Sequence, residues 1–339
     1  MEKLYGKTLS ELQELLSELG EPGFRAKQLA DWLYNKGADS LEEMTNLSKN
    51  LRQKLGESCE IGRTAPQKES CSTDGTKKYL FPTEKGNYIE SAWIPDRERS
   101  TLCLSTQGGC KWGCKFCMTG TMGLKEQLTA TGILNQYGSL PQRTDVTNFV
   151  FMGMGEPLDN TENLLKSLEV LTSPWGYALS PRRITVSTVG IIPGLERFLA
   201  ESDCHLAYSL HNPFPEERAA LMPVEKKYPL HDVMNLLKDN RELFKGQRRV
   251  TIEYTLIEGE NDKNRHAEEL VRVMNGLKAR VNLISYNAGT DLPWHGVSRE
   301  RAEAFRDFLN SKGVTATIRN SRGGDIEAAC GLLSVKQQN

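Results

Sequence analysis

The sequence predicts an α/β fold, a partial (β/α)6 TIM-like barrel with a small helical domain at its N-terminus. From about residue 98 onward, short apolar runs typical of strands alternate with segments of helical periodicity. Such alternation is typical of a parallel sheet or barrel. Six repeats fall short of the eight of a complete barrel, so we expect a partial one. Before residue 60 the patterns are helical only.

Residues 1–60 are expected to form the helical domain. The run Thr8-Leu9-Ser10-Glu11 is a capping box at the start of a helix with leucines on one face, and Gly20 ends it. Acidic residues outnumber basic ones here, so charge does not mark this region as a basic arm. We expect this region to be an accessory domain of the protein. Further helices are predicted at residues 24–34, after Ser40 and at residues 51–55.

Residues 61–97 are predicted to form a connector of the β-hairpin type. Residues 78–81 and 88–94 alternate in polarity like strands, with a turn around Gly86, and the second run contains Glu90. The barrel core is expected to occupy residues 98–339. Its strands are predicted at residues 101–105, 148–152, 183–188, 205–210, 250–256 and 281–285, and its helices at residues 129–139, 161–172, 194–201, 230–243 and 266–276.

The composition predicts a soluble, cytoplasmic protein that does not interact with membranes. Of 339 residues, 38% are hydrophobic and 26% are charged. The chain has no apolar run long enough to span a bilayer, and its N-terminus does not resemble a signal peptide. Eight cysteines without a secretion signal indicate a reducing compartment, where thiolates serve metals or catalysis. The net charge of −1 neither supports nor excludes a nucleic-acid partner.

Three cysteines, Cys110, Cys114 and Cys117, follow the first predicted barrel strand at the spacing C-x3-C-x2-C. Thiolates at this spacing converge, and soft sulfur ligands select iron–sulfur clusters, zinc or Cu(I). Three ligands leave one position of a [4Fe–4S] cluster open. Structural zinc is the alternative, but it would require a fourth cysteine or a histidine nearby, and the five histidines are remote. The spacing therefore favours a cluster over zinc.

Polar residues follow several later strands, at the edge where parallel barrels place their chemistry. A glycine-rich loop, Met152-Gly-Met-Gly155-Glu156-Pro157, comes after the second strand and would let its backbone approach a ligand closely. Alone, such a loop is usually just a turn, and serines or asparagines at strand ends usually cap helices. The other candidates for a shared ligand site are Ser187, Ser209, Leu210, His211 and Asn287.

Near the end of the chain, Cys330 lies in the run Asp325-Ile-Glu-Ala-Ala-Cys330-Gly331. A cysteine between small residues suits an exposed, mobile loop, although free cysteines are often simply buried. Together with Cys103 seven residues before Cys110, the cysteine triplet, the Gly155-Glu156-Pro157 loop and Ser209-Leu210-His211, this run resembles the RlmN/Cfr class of radical S-adenosylmethionine (SAM) RNA methyltransferases.

The resemblance spans nearly the whole chain and implies a role for each motif. Cys110, Cys114 and Cys117 would hold a [4Fe–4S] cluster, and the glycine-rich loop and strand-end residues would bind SAM. Cys330 would carry the methyl group as S-methylcysteine, and Cys103 would resolve the product through a transient disulfide with Cys330. Glu90 would accept the proton from the base. Two SAM molecules would be used per turnover.

The resemblance also implies the partners. The substrates would be 23S rRNA at the peptidyl-transferase centre and tRNA beside the anticodon, the electron donor would be flavodoxin or a similar protein, and the enzyme would be a monomer. Glu156-Pro157 favours methylation at adenine C2, whereas residues 119–125 look more like the C8-specific, antibiotic-resistance group. A radical SAM enzyme with a non-RNA substrate and a non-catalytic metal-binding scaffold remain alternatives. Candidate phosphate contacts are Lys111, Lys115, Lys125, Arg182, Arg183, Arg248, Arg249, Arg319 and Arg322.

Overall fold

The computed structural model describes residues 1–288 and 292–335. The predicted fold class is confirmed: parallel strands and alternating helices build an open barrel, and short helices precede it. Among these residues, one sheet of ten strands contains both the barrel strands and the strands of the predicted connector. Within the described residues, no helix is both long and apolar enough to cross a membrane.

The N-terminal region is helical, as predicted. The capping box is present, because the Thr8 amide donates to Glu11 Oε2 at 2.7 Å and the Glu11 amide donates to Thr8 Oγ1 at 3.3 Å. The predicted helix after Ser40 is wrong, because the next helix begins only at Lys49. Ser48 caps that helix by accepting a hydrogen bond from the Leu51 amide at 3.2 Å. The elements are β1 (Glu2–Lys3), α1 (Leu9–Glu18), α2 (Arg25–Ala30) with a π-helical continuation (Asp31–Lys36), α3 (Lys49–Ser58) and β2 (Cys59–Glu60), which pairs with β1.

The connector supplies one antiparallel edge of the large sheet. The two predicted strands are confirmed, and a third strand precedes them. The last of the three pairs with the first barrel strand in an antiparallel ladder. Two further strands form a separate small hairpin around the cysteine loop. These elements are β3 (Lys68–Cys71), β4 (Lys77–Pro82), β5 (Tyr88–Asp96), β6 (Arg99–Cys103), β7 (Gln107–Cys110), α4 (Met118–Thr121) and β8 (Gly123–Gln127).

Within the part of the chain that the structure describes, the barrel has seven parallel strands, one more than predicted. Their order across the sheet is β6, β9, β10, β11, β12, β13, β14. Their carboxyl ends meet at one edge, and at that edge the chain leaves β6 toward β7 and the cysteine loop. The remaining elements are α5 (Ala130–Gly138), β9 (Asn148–Phe151), α6 (Thr161–Thr172), β10 (Ile184–Thr188), α7 (Ile192–Glu201), β11 (His205–Ser209), α8 (Pro215–Leu221), α9 (Leu230–Asp239), β12 (Val250–Leu256), α10 (Asn264–Met274), β13 (Arg280–Ser285), α11 (Arg299–Ser311) and β14 (Ala316–Arg319).

Candidate active site

A cavity opens at the carboxyl ends of the barrel strands, with an empty volume of about 1150 Å³ including its mouth. Its wall is built from three parts of the chain: the strand ends, the cysteine loop and the C-terminal segment. Every parallel strand of the barrel contributes at least one lining residue, among them Cys103, Ser187 and Glu253. The sheet therefore brings the separate sequence motifs to one place.

The cysteine loop projects from the β7–β8 hairpin. Cys110 is the last residue of β7, and Cys117 caps the short helix α4. Two glycines allow the tight packing of this loop. A Cβ atom at Gly109 would lie 1.9 Å from the Gly123 carbonyl oxygen, and one at Gly120 would lie 2.7 Å from the Cys114 carbonyl oxygen. The backbone thus folds closely on itself around the three thiols.

Burial raises the pKa of all three loop cysteines, that of Cys110 to about 12. The charges of Cys117 and Cys110 also raise the pKa of Cys114, so the three sulfurs lie near one another. Within residues 1–288 and 292–335, however, no three His, Cys, Asp or Glu side chains are placed around a single metal ion. Three neighbouring thiols at the sequence spacing C-x3-C-x2-C are the residues that would hold a [4Fe–4S] cluster, in which each thiolate would ligate a different iron.

The glycine-rich loop lies against the cysteine hairpin. Gly155 has a φ of +96°, and a Cβ there would lie 2.4 Å from the Gln107 side chain, so the loop requires glycine. The buried Glu156 carboxylate accepts hydrogen bonds from the backbone amides of Leu158 at 3.0 Å and Val189 at 2.9 Å. Burial nevertheless raises the pKa of Glu156 to about 7. Both Gly155 and Glu156 line the cavity.

The predicted strand-end residues divide into two groups. Ser187 and Ser209 line the cavity with their hydroxyl oxygens 3.3 Å apart, and His211 lines it beside them. Leu210 is fully buried and lies outside the lining. Asn287 is also outside the lining, but its side-chain amide approaches the Cys330 carbonyl oxygen at 3.4 Å.

His211 is held as a neutral ring. Its Nδ1 accepts a hydrogen bond from the Thr255 amide at 3.0 Å, so its Nε2 carries the proton. Burial, with a smaller contribution from the Arg218 charge, lowers the pKa of His211 to about 3. The ring therefore remains uncharged at neutral pH and can donate from Nε2, but it cannot act as a cation.

Cys103 and Cys330 line the same cavity, although 227 positions separate them in the sequence. The C-terminal segment docks on the helix that follows the cysteine loop: the Met118 amide donates to the Gly331 carbonyl at 2.9 Å, and the Thr119 hydroxyl donates to the Leu333 carbonyl at 2.6 Å. Burial raises the pKa of Cys103 to about 12, and the nearby Cys330 adds to the rise. Cys330 itself is solvent-exposed because it borders the open cavity, yet the surrounding protein still raises its pKa.

Glu90 is buried on β5 behind the C-terminal segment and is not part of the cavity lining. Its carboxylate pairs with Lys78 Nζ at 3.1 Å and accepts a hydrogen bond from the Ser334 amide at 3.0 Å. Burial raises the pKa of Glu90, and the Lys78 charge opposes that rise. In this structure the carboxylate is thus close to the cavity but covered by the segment that carries Cys330.

Comparison with known proteins assigns the family. The profile of the ribosomal RNA large subunit methyltransferase N-terminal domain matches residues 3–61, and that of the radical SAM superfamily matches residues 104–272. Proteins named "Probable dual-specificity RNA methyltransferase RlmN" from Phocaeicola vulgatus and Parabacteroides distasonis are 51% and 52% identical, over 99% and 98% of this chain and 95% and 96% of theirs. The chain belongs to the RlmN family.

The fold of this RlmN-family protein has also been observed in a solved structure. A radical SAM methyltransferase from Sphaerobacter thermophilus is 39% identical and superposes with a TM-score of 0.92, over 99% of this chain and 100% of the other. Membership of the radical SAM superfamily implies that SAM and a [4Fe–4S] cluster are the cofactors. The spacing of the three loop cysteines fits such a cluster.

Two ionisable residues line the cavity of this RlmN-family protein although no sequence motif predicted them there. Glu253 is only 3% exposed and lines the cavity, and its Oε2 has no hydrogen-bond partner among the described residues. Arg319, expected to contact phosphate, instead lines the cavity near Cys103 and Cys330. An acidic residue inside the apolar strand β12 was the available signal for Glu253. Arg319 is the last residue of β14, and because the sequence did not predict that strand, nothing indicated that Arg319 would reach the cavity.

Some predicted phosphate contacts are poorly placed for RNA at the cavity. Arg248 is 8% exposed and donates to the carbonyls of Cys204, Leu199 and Phe198, so the prediction that it contacts phosphate is wrong. Arg182, Arg183 and Arg249 precede β10 and β12 and therefore lie at the amino ends of the strands, away from the cavity. The residue type alone could not distinguish these arginines from arginines at the mouth of the cavity.

Proposed function

We propose that this SAM-dependent RNA methyltransferase methylates C2 of adenosine in 23S rRNA and in tRNA through an S-methylcysteine at Cys330. The full-length relatives named as dual-specificity RNA methyltransferases support the RNA substrates. The observation that carries the route is that Cys330 and Cys103 share one cavity with the cysteine loop. Neither a small-molecule radical enzyme nor a metal scaffold would need that pair of extra thiols.

In this proposal Cys110, Cys114 and Cys117 hold the cluster through deprotonated sulfur. SAM contacts the five predicted residues that line the cavity, which are Gly155, Glu156, Ser187, Ser209 and His211. Leu210 and Asn287 lie outside that lining and are assigned no contact with SAM. When bound, the cluster and SAM supply one-electron chemistry that can remove a hydrogen atom from an unactivated carbon. Because burial raises the pKa of each loop thiol, assembly of the cluster must displace protons that the free chain retains near neutral pH.

Cys330 is the methyl carrier in the proposed cycle. Its sulfur attacks the methyl group of one SAM, and a second SAM is consumed in activating that S-methyl group, so two SAM molecules are used per turnover. Attack by sulfur requires the thiolate, which the protein atoms around the sulfur disfavour by raising the pKa of Cys330, although the residue is exposed to the cavity. Arg319 is the cation that opposes this effect at both Cys330 and Cys103. Exposure of Cys330 to the cavity gives its sulfur access to both SAM and the RNA base.

Cys103 and Glu90 complete the transfer. Once the methyl carbon joins the adenine, Glu90 takes the ring proton, and the cluster would accept the one electron that is released with it. The Cys103 thiolate then attacks the Cys330 sulfur, so that an S–S bond forms, the bond from that sulfur to the carbon breaks, and the released carbon takes up a proton to become the methyl group. The raised pKa of Glu90 makes its carboxylate a better base, and Lys78 keeps a positive charge beside it. For Glu90 to reach the base, the segment at Ser334 must move aside. The disulfide must then be reduced before the next turnover.

The remaining parts of the proposal concern partners. A low-potential one-electron donor such as flavodoxin reduces the cluster, and residues 1–60 act as an RNA-binding accessory domain beside a connector (61–97) and the catalytic core (98–339). The enzyme works as a monomer, because one chain supplies every proposed site residue.

The proposed RNA substrates imply that the enzyme works in the cytoplasm. The adenine base must leave its stack to reach the cavity.

Mass spectrometry of RNA tests the proposal. Reconstituted protein should convert adenosine to 2-methyladenosine in 23S rRNA and tRNA transcripts, and Cys330→Ala should abolish the product while iron content stays unchanged. Cys71→Ala is the control, because Cys71 is an exposed thiol on β3. Appearance of 8-methyladenosine would redirect the proposal to the C8 group, for which the resemblance of residues 119–125 is the supporting observation. Full methylation by Cys330→Ala would overturn the S-methylcysteine route.

A further inference from the structure

The turn between β3 and β4 contacts the C-terminal segment about 250 positions later in the chain. We propose that this turn is a positioning clamp for Cys330, in which Ser72, Thr73 and Asp74 bind Gly323 and Asp325 and so fix where the cysteine stands in the cavity. The inference rests on the proposed function, because it gives a purpose to the position of Cys330. The clamp residues are positioning residues and do not touch the reacting atoms.

The contacts of the clamp are reciprocal. On the segment, the Asp325 carboxylate accepts hydrogen bonds from the Ser72 hydroxyl at 2.5 Å and from the Thr73 amide at 3.1 Å. On the turn, the Asp74 carboxylate accepts one from the Gly323 amide at 2.8 Å. Each partner thus supplies one carboxylate and receives donors from the other. Charge-assisted bonds of this kind are stronger than neutral ones.

The clamp remains ionised at any pH at which the enzyme would work. Burial alone would raise the pKa of Asp74, but its hydrogen bonds, led by the one from Gly323, outweigh burial and lower that pKa to about 2. The Ser72 hydroxyl, followed by the Thr73 amide, lowers the pKa of Asp325. Both carboxylates therefore keep their charge and their bonds well below neutral pH.

The two chain segments approach so closely that the segment requires glycine at the contact. Gly323 has a φ of +66°, and a Cβ there would lie 2.8 Å from Thr76 Cγ2 and 2.9 Å from Ala328 Cβ. Any larger residue would push the segment away from the turn. The fit is thus one of shape as well as of hydrogen bonding.

The clamped turn is connected rigidly to the cysteine. The amides of Ala328 and Ile326 donate to the Gly323 carbonyl at 2.8 and 3.3 Å, so residues 323–328 close into one compact turn. Ala328 packs in an apolar cluster with Cys103, Ala92 and Val150. Cys330 follows Ala328 by two residues, and beyond it the Gly331 carbonyl is fixed by the Met118 amide. Cys330 is therefore bracketed between two anchored points, and the first of them is the clamp.

The test separates positioning from mere stability with four variants of the full-length chain. Asp325→Ala and Asp74→Ala each remove one carboxylate of the clamp. Asp325→Asn keeps one acceptor oxygen and is the conservative rescue. Glu69→Gln is the matched control, because Glu69 is a carboxylate of the same hairpin that pairs with Lys77 on the neighbouring strand.

The first readout is amide hydrogen exchange in the cluster-free protein. Peptides covering residues 320–335 should exchange faster in Asp325→Ala and Asp74→Ala than in the unmodified chain, while peptides from β12 and β13 stay unchanged. Glu69→Gln should match the unmodified chain throughout. Unchanged exchange in both alanine variants would show that the clamp does not hold the segment, and the inference would be lost.

The second readout is the ratio of methylated 23S rRNA transcript to SAM cleaved by the reconstituted enzyme. A displacement of about 1 Å at a reacting group can cost on the order of 100-fold, so the ratio should fall by about that factor in both alanine variants and recover in part in Asp325→Asn. Iron content and SAM cleavage should persist. Faster exchange with an unchanged ratio would overturn the positioning role, as would a parallel loss of iron, SAM cleavage and methylation. Failure of the proposed function is distinguishable, because it would appear as RNA methylation by Cys330→Ala.

Discussion

At the scale of the residue, Arg218 shows how a buried charge shapes the part of the cavity wall that Ser209 and His211 form. It is 0% exposed, and its guanidinium donates to the carbonyls of Leu210 at 3.0 Å, Val189 at 3.1 Å and Ser209 at 3.2 Å. Glu225, 5% exposed, forms the ion pair that balances its charge. This arrangement explains why Leu210 is buried although its neighbours line the cavity. Arg218 binds the Leu210 carbonyl on the side away from the cavity, whereas Ser209 and His211 line the cavity.

We predict that Arg218→Met destabilises the protein by about 3–5 kcal/mol, because it leaves the buried Glu225 carboxylate without its partner. The free energy of unfolding, measured by urea denaturation of the cluster-free chain, checks the size of the effect. The double variant Arg218→Met with Glu225→Leu should recover much of the loss, since it removes both charges together. A loss below about 1 kcal/mol in the single variant would contradict this account.

Single residues were predictable from sequence where their chemistry depends on local spacing. The cysteine triplet, Cys330 and the strand-end polar residues all came from short motifs, and the structure brings most of them into one cavity. Lys78, which pairs with Glu90, depends instead on the register of an antiparallel ladder. The cover that Ser334 places over Glu90 joins positions 244 residues apart, and no local pattern encodes such a contact.

At the scale of the element, the β7–β8 hairpin determines where the cysteines stand. Gln107 and Gly108 pair with consecutive residues of β8, and the pairing register of the two strands shifts between Gly108 and Gly109. Gly109, with a φ of +82°, lies at this irregularity. The shift re-aims the strand just before Cys110, as bulges next to functional sites commonly do. The loop thus leaves the hairpin in a direction that a regular ladder would not allow.

Gly109→Ala should therefore prevent normal assembly of the cluster site. The new Cβ would lie 1.9 Å from the Gly123 carbonyl oxygen, and the positive φ adds backbone strain. We expect a loss of most of the iron and sulfide bound per chain after anaerobic reconstitution. Gly246→Ala is the control, because no atom of residues 1–288 and 292–335 lies within 4 Å of a Cβ at that position. Iron binding by Gly109→Ala equal to that of the control would refute the geometric argument.

The strands and helices with a clear apolar pattern were predicted from the sequence, and those with a weak pattern were missed. Alternation of strand and helix identified six of the parallel strands. The strand β14 was missed because only two of its four residues are apolar, whereas β9, of the same length, has three in a row. The strand β3 was missed because Lys68–Cys71 is mostly polar and pairs at the sheet edge. Both omissions mattered, because β14 carries Arg319 to the cavity and the turn after β3 contacts the C-terminal segment.

At the scale of the whole molecule, the N-terminal region is fixed to the barrel by polar contacts between buried or half-buried groups. The Tyr5 and Tyr177 hydroxyls lie 2.6 Å apart, and the Thr131 hydroxyl donates to the Tyr5 carbonyl at 2.6 Å. Arg63 donates to the carbonyls of Gly138 at 3.1 Å and Gly37 at 2.7 Å, which joins the two parts of the chain. RNA that contacts the N-terminal helices would therefore meet a surface held in fixed relation to the cavity.

The N-terminal surface carries an exposed aromatic side chain beside basic ones. Phe24 is 60% exposed, the Arg25 guanidinium lies 5.3 Å from its ring centroid, and Lys27 is exposed on the same short helix. Aromatic rings next to cations bind unstacked bases and the phosphates that flank them. If residues 1–60 form an RNA-binding domain, this is the part of their surface with the chemistry to do so.

We predict that Phe24→Ala weakens binding of a tRNA transcript by about 1–3 kcal/mol, which is the usual contribution of one stacked base. Lys27→Ala should instead reduce the slope of the logarithm of affinity against the logarithm of salt concentration by about 1, because it removes one phosphate contact. Fluorescence anisotropy at several salt concentrations measures both effects. Leu243→Ala, which also removes an exposed apolar side chain, should bind RNA normally. If Phe24→Ala bound tRNA as tightly as Leu243→Ala, the N-terminal helices would not be the surface that receives the RNA, and the approach to the cavity would have to come from the barrel alone.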